Sequence, residues 1–148
     1  LEEANGDFNK AMELLREKGL AQAARRADRQ ASEGVLELYA HGNGRVGVMV
    51  EVNSETDFVA RSETFRKFAH EIALQIAAEA PLFIRPEDIP ADTLEQERTK
   101  ARRLAVEEGK PESVTEKIIE GRLEKFLNEA CLLRQPYIRD DSITVAEL

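Results

Sequence analysis

Val46, Val48, Val50 and Val52 occupy every second position of one short segment, and nothing else in the chain constrains the fold as tightly. The interleaved residues include Arg45, Met49, Glu51 and Asn53, so one face is branched and apolar and the other mixed. A period of two is that of a half-buried strand, because successive side chains point to opposite faces of a sheet. Val35 to Ala40 form a plausible partner strand, and His41-Gly42-Asn43-Gly44 supplies the residues of a hairpin turn.

From Ser62 the period changes. Phe65, Phe68, Ala69, Ile72, Ile76, Ala77 and Ala80 trace a helical stripe that Pro81 stops. Residues 81–92 carry three prolines and read as a loop. Asp92 with Glu95 forms an Asp-x-x-Glu capping signature for a charged helix running to Gly109. Pro111 opens a further helix whose core face is Val114, Ile118, Ile119, Leu123, Phe126, Leu127 and Ala130. Gly121 lies within it, where it could permit close packing, and Pro136 marks the far boundary. Thr144-x-x-Glu147 is a second capping signature, so a helix is expected to start there.

Upstream of the hairpin, Asn5-Gly6-Asp7 is a turn signal and Asp7 a helix cap. Phe8, Ala11, Met12 and Leu15 make one apolar stripe, and Gly19 sits where a left-handed C-terminal residue is wanted. Residues 20–33 are rich in Ala, Arg and Gln and read as an exposed helical linker. Strands and helices in this order give an α+β fold, a small antiparallel hairpin-based sheet packed with several helices.

Composition closes several routes. The 148 residues carry 29 Asp+Glu against 21 Lys+Arg, a formal charge of −8, which argues against broad phosphate-backbone binding. No run approaches the length of a membrane span. The single cysteine, Cys131, forms no internal disulfide, favours a reducing compartment, and is expected to be a small buried residue. His41 and His70 lack partners at metal-ligand spacing, and His70 reads as part of a solvated helix surface. Gly42-Asn43-Gly44-Arg45-Val46-Gly47 matches G-x-G-x-x-G, yet a strand follows it where a dinucleotide site needs a helix N-terminus. No active site and no cofactor is expected. Arg25, Arg26 and Arg29 read as a solvated helix face.

One segment does not fit an ordinary loop. Between the valine strand and the Phe65 helix stands Asn53-Ser54-Glu55-Thr56-Asp57-Phe58-Val59-Ala60-Arg61. Connections are usually polar, and this one holds Phe58 and Val59. Residue chemistry leaves two placements open for Phe58: folded back on the core, or exposed beside an acid as an anchor for another protein.

Thr56-Asp57-Phe58-Val59-Ala60-Arg61, preceded by Val50-Glu51-Val52-Asn53, closely resembles the signature of the elongation factor Ts family, the guanine-nucleotide exchange factors of elongation factor Tu. The stretches 2–7 and 11–19, Ile84-Arg85-Pro86-Glu87-Asp88-Ile89, Gly109-Lys110-Pro111, Glu120-Gly121-Arg122 and Gln135-Pro136-Tyr137 extend the resemblance over the whole chain. It implies three parts: 1–19 as the end of a ubiquitin-associated-like helical module, 20–33 as the helical linker, and 34–148 as the core (dimerisation) domain without its C-terminal end. It also implies that early family helices precede Leu1, and that a last helix and closing strand follow Leu148.

The same resemblance implies a non-enzymatic exchange factor in which Phe58 is a wedge entering the GTPase near its Mg²⁺ and nucleotide, Asp57 the adjacent charged contact, and Thr56 and Val59 the residues that hold the turn and pack its base. Ser54 stands where the family often has cysteine, and Ser62 where it often has asparagine or an acid; neither is expected to touch the wedge. The single copy of the core resembles the short family members and implies a homodimer in the bacterial cytosol or an organelle, with no membrane or direct nucleic-acid partner. The alternative is a module that docks the GTPase without driving exchange.

Overall fold

The computed structural model describes residues 4, 7–26, 29–109 and 111–148, with the side chains of residues 20, 23 and 24 outside the description. The expected Asn5-Gly6 turn, and Lys110, lie outside the described residues.

The valine alternation forms the hairpin it predicts. Strands β1 (Glu33–His41) and β2 (Val46–Ser54) pair antiparallel, with Val35 opposite Val52, Glu37 opposite Val50 and Tyr39 opposite Val48. Between them Gly42, Asn43 and Gly44 all adopt positive φ, of 58°, 56° and 83°, which is why this turn takes glycine and asparagine. The G-x-G-x-x-G match is therefore turn chemistry. Val48, Val50 and Val52 are half-buried against the following helix, while Leu36, Leu38 and Met49 form an exposed apolar face on the other side.

A short helix α2 (Asp57–Ala60) leads into α3 (Glu63–Glu79), which packs across both strands. Ala69, Ile72 and Ala73 are buried, and Ile72 meets Leu132 and Val145 in a core flanked by Val50, Phe68, Ile76 and Leu133. Ala80 ends α3 in the left-handed region at φ 44° and is exposed, so the stripe stops short of it.

The 81–92 loop contains an extended stretch, in which Phe83 bridges Cys131, and a 3-10 turn at Pro86–Asp88. Helices α4 (Ala91–Glu107) and α5 (Glu112–Ala130) pack on each other. α4 starts one residue before the predicted Asp92 cap. Pro90 is its N-cap, with a φ of −58° and a carbonyl that accepts from Thr93 N at 3.0 Å and Leu94 N at 3.2 Å. Pro111 is likewise the N-cap of α5. A Cβ placed on Gly121 would meet nothing within 4 Å, so that glycine is not a packing notch.

The chain closes with strands β3 (Pro136–Tyr137) and β4 (Asp140–Thr144), then a 3-10 turn at Val145–Glu147 whose capping box joins Thr144 to Glu147 as their spacing predicts. Cys131 is fully buried and free. Burial raises its thiol pKa.

At the other end, helix α1 (Phe8–Ala24) begins where Asp7 Oδ1 accepts from Lys10 N at 3.1 Å. It does not stop at Gly19. The run Leu20-Ala21-Gln22-Ala23-Ala24 has enough helix propensity to carry the chain through one glycine, which costs about 1 kcal/mol. α1 ends at Ala24 and β1 begins at Glu33, so among the described residues the 20–33 stretch is helical only through Ala24. Phe8, Met12 and Leu15 are exposed, and Arg16 pairs with Glu147 at 2.7 Å. The architecture is thus α+β, five helices with two two-stranded antiparallel sheets among the described residues.

Candidate functional site

Between β2 and α3 the chain makes one helical turn, and three hydroxyls hydrogen-bond to its backbone. Thr56 is the N-cap of α2, extended at φ −142° and ψ 151°, and its Oγ1 accepts a hydrogen bond from Val59 N at 3.3 Å. Ser54, buried, donates from Oγ to the Thr56 carbonyl at 2.9 Å. Ser62 Oγ donates to the Val59 carbonyl at 2.8 Å and accepts from Phe65 N at 3.2 Å, so one hydroxyl closes α2 and caps α3. A four-residue helix has too few internal bonds to hold itself. These three hydroxyls supply the missing ones.

Ser54 and Ser62 therefore touch the turn, contrary to the sequence expectation. The signal for Ser62 was available, since a serine immediately before a helical period is an N-cap candidate, whereas Ser54 ends β2 and caps no helix. Ala60, for which the sequence offered no role, is the buried residue of the turn. Val59 keeps 42% of its surface exposed and contributes mainly through its backbone N–H and C=O.

Phe58 is not folded back on the core. It stands 82% exposed, the most exposed of the large hydrophobic side chains among the described residues. Asp57, the first residue of α2, pairs with Arg61 at 3.2 Å across the turn, and Arg29 pairs with Glu55 at 3.0 Å beside it. Arg29 thus engages a carboxylate instead of lying on a solvated helix face. Asp57, Phe58 and Val59 present an anion and an aromatic ring side by side on a mount formed by β1, β2 and α3.

The mount is itself braced by polar contacts. His70 Nδ1 lies 2.8 Å from Glu37 Oε1, linking α3 to β1, and the Tyr39 ring meets His70 edge-on at 5.4 Å. Tyr39 Oη lies 2.9 Å from His41 Nδ1. Both histidines therefore brace the hairpin, and His70 is more than solvated surface. Among the described residues no group of three or more His, Cys, Asp or Glu side chains could hold a metal ion, and no helix is long and apolar enough to cross a membrane. The arrangement sets an exposed ring and a carboxylate on one short turn.

The model of one protein family, described as Elongation factor TS, matches residues 3–148. A curated Elongation factor Ts from Carboxydothermus hydrogenoformans is 57% identical over 148 residues, covering all of this chain and 68% of the relative. That of Caldanaerobacter subterraneus is 58% identical over 146 residues, covering 99% of this chain and 73% of the relative. That of Acetivibrio thermocellus is 54% identical over 148 residues, covering all of this chain and 69% of the relative.

Proposed function

This chain belongs to the elongation factor Ts family, and we propose that it promotes release of GDP from elongation factor Tu by inserting the Asp57-Phe58 turn near the Mg²⁺ and nucleotide of that GTPase. The observation that carries the reading is the exposure of Phe58 on a turn held by three hydroxyl hydrogen bonds. A large apolar ring held in water has no role in its own fold, and an aromatic supplies wide, rigid contact area at small entropy cost.

A GTPase grips its nucleotide through loop amides on the phosphates and through Mg²⁺. An exchange factor breaks no covalent bond. It binds the empty GTPase better than the loaded one, and by linkage the nucleotide loses affinity by the same factor. Roughly 5.5 kcal/mol of such coupling carries a two-state equilibrium from 1:99 to 99:1. In this proposal Phe58 occupies space that the closed nucleotide site needs, and Asp57 competes for hydrogen bonds of the groups around the metal. Thr56, Ser54 and Ser62 keep the turn from yielding, which is what a wedge requires.

The same reading includes a homodimer acting in the bacterial cytosol. Leu36, Leu38 and Met49 support the dimer, since an apolar sheet face of this kind is one a second copy could cover. Sedimentation of the chain and of an L38E/M49E variant tests it: a dimer that the variant turns into monomers is the expected result.

Stopped-flow release of a fluorescent GDP from elongation factor Tu tests the central claim. Phe58→Ala should abolish most of the stimulation while the melting temperature stays within about 1 °C, as expected for an exposed position. Unchanged stimulation would remove Phe58 from the mechanism. Binding of elongation factor Tu by the unmutated chain without faster release would leave a docking module in place of an exchange factor. Because a catalyst of exchange works in both directions, GTP release should quicken too.

A further inference from the structure

Arg61 sits four residues after Asp57 and three after Phe58, in helical conformation at φ −83° and ψ −12°. Those spacings put it on the same side of the turn as both. Its Nη2 reaches Asp57 Oδ2 at 3.2 Å. An acid four residues ahead of a base is the favourable order on a helix.

As a support for the fold this pair is nearly idle. Both side chains are largely exposed, and exposed pairs of this spacing contribute little to stability. The turn is already closed by Thr56, Ser62 and the burial of Ala60. What the contact does show is the Asp57 carboxylate turned toward the Arg61 guanidinium. Without a partner that side chain would sample several rotamers, and its alignment would have to be recovered at each encounter.

We propose that Arg61 is a positioning residue for exchange: it holds the Asp57 carboxylate beside the Phe58 ring, so that anion and ring meet the GTPase in one preset arrangement. The proposal rests on the reading of Asp57 and Phe58 given above. A guanidinium presents a planar fork of donors, whereas an ammonium is a mobile point charge, so lysine should substitute only in part.

The test is release of fluorescent GDP from elongation factor Tu, measured from limiting to saturating concentrations of the full chain. The variants are F58A, D57N, R61Q, R61K and D57N/R61Q, each with its melting temperature. R61Q should lower the maximal rate about fivefold, R61K should recover at least half of the loss, and melting should not move. D57N/R61Q should be no slower than D57N alone, because there is then no carboxylate left to align. A merely structural role would lower the melting temperature and would not vanish in the D57N background.

Wild-type behaviour of R61Q, a lowered melting temperature, or a loss that persists in D57N would each overturn the positioning role. If F58A and D57N are slow while R61Q is not, this inference alone fails. If F58A and D57N both release nucleotide at the wild-type rate, the wedge reading fails and takes this one with it.

Discussion

Gln75 donates from Nε2 to Gln135 Oε1 at 3.2 Å, and the two amides are 0% and 2% exposed. Gln75 also donates to the Pro136 carbonyl at 3.1 Å and accepts from Ile138 N at 2.9 Å, while Gln135 donates to the Glu129 carbonyl at 2.8 Å. A buried polar cluster of this kind stabilises only while every member is paired. Gln75 is thus the rivet between α3 and the segment that follows α5.

Gln75→Leu should cost about 2–4 kcal/mol, since it leaves the buried Gln135 amide without its donor and takes their partner from the Ile138 N–H and the Pro136 carbonyl. Urea unfolding followed by circular dichroism measures it, with a fall in melting temperature of roughly 5–10 °C.

Acid should loosen the same region through a second contact. Glu71 Oε2 accepts from Tyr137 Oη at 2.8 Å and pairs with Arg139 Nε at 2.5 Å. The Arg139 hydrogen bond lowers the Glu71 pKa despite the opposing effect of burial, and Tyr137 adds to the lowering. A carboxyl with a depressed folded pKa gives stability that is present above its unfolded pKa and lost as pH falls through the folded one. Stability at pH 7 should therefore exceed that of Glu71→Gln. The difference should shrink below roughly pH 4.3, where a free glutamate takes up its proton. Thermal melts of both proteins between pH 7 and pH 3 read this out.

Gly34 lies opposite Asn53, and a Cβ added there would sit 2.4 Å from the Val52 carbonyl oxygen. Backbone cannot swing aside as a side chain can. Gly34→Ala should cost about 1–3 kcal/mol by forcing the strands apart. Because β2 leads into the capped turn, nucleotide release from elongation factor Tu should slow as well. Chemical denaturation and the release assay check the two effects separately.

Thr56→Ala and Ser62→Ala should act locally. Loss of a cap costs about 1 kcal/mol, and here the cost falls on a single turn. Hydrogen exchange should speed at the Val59 and Ala60 amides in the first variant and at Phe65 in the second. Reduced nucleotide release from elongation factor Tu, with global stability nearly intact, is the companion result.

Sequence periodicity carried the hairpin and α3 because valines 46 to 52 and the stripe from Phe65 repeat at the period of the element they form. The family signature carried the candidate site, but the chemistry of Phe58 did not decide its placement. A phenylalanine is equally at home under a helix; in this turn Ala60 is the buried residue and the Phe58 ring stands outside. Gln75 was illegible for the opposite reason. A lone polar residue in a helical stripe reads as surface, and its partners lie some 60 positions away. Element boundaries failed where one residue was given too much weight: Gly19 against a run of good helix formers, and Asp92 against the proline two positions before it.

Cys131 has no accessible surface, and its thiol is held in the protonated form by its surroundings. Thiol-directed dyes therefore have no reactive sulfur to find on the folded chain, since only the thiolate is the nucleophile. A cysteine introduced at an exposed position such as Glu63 would be the single labelling point on an otherwise native background. Two such positions, one on α3 and one on the GTPase, would give an optical ruler for their approach without stripping any natural residue.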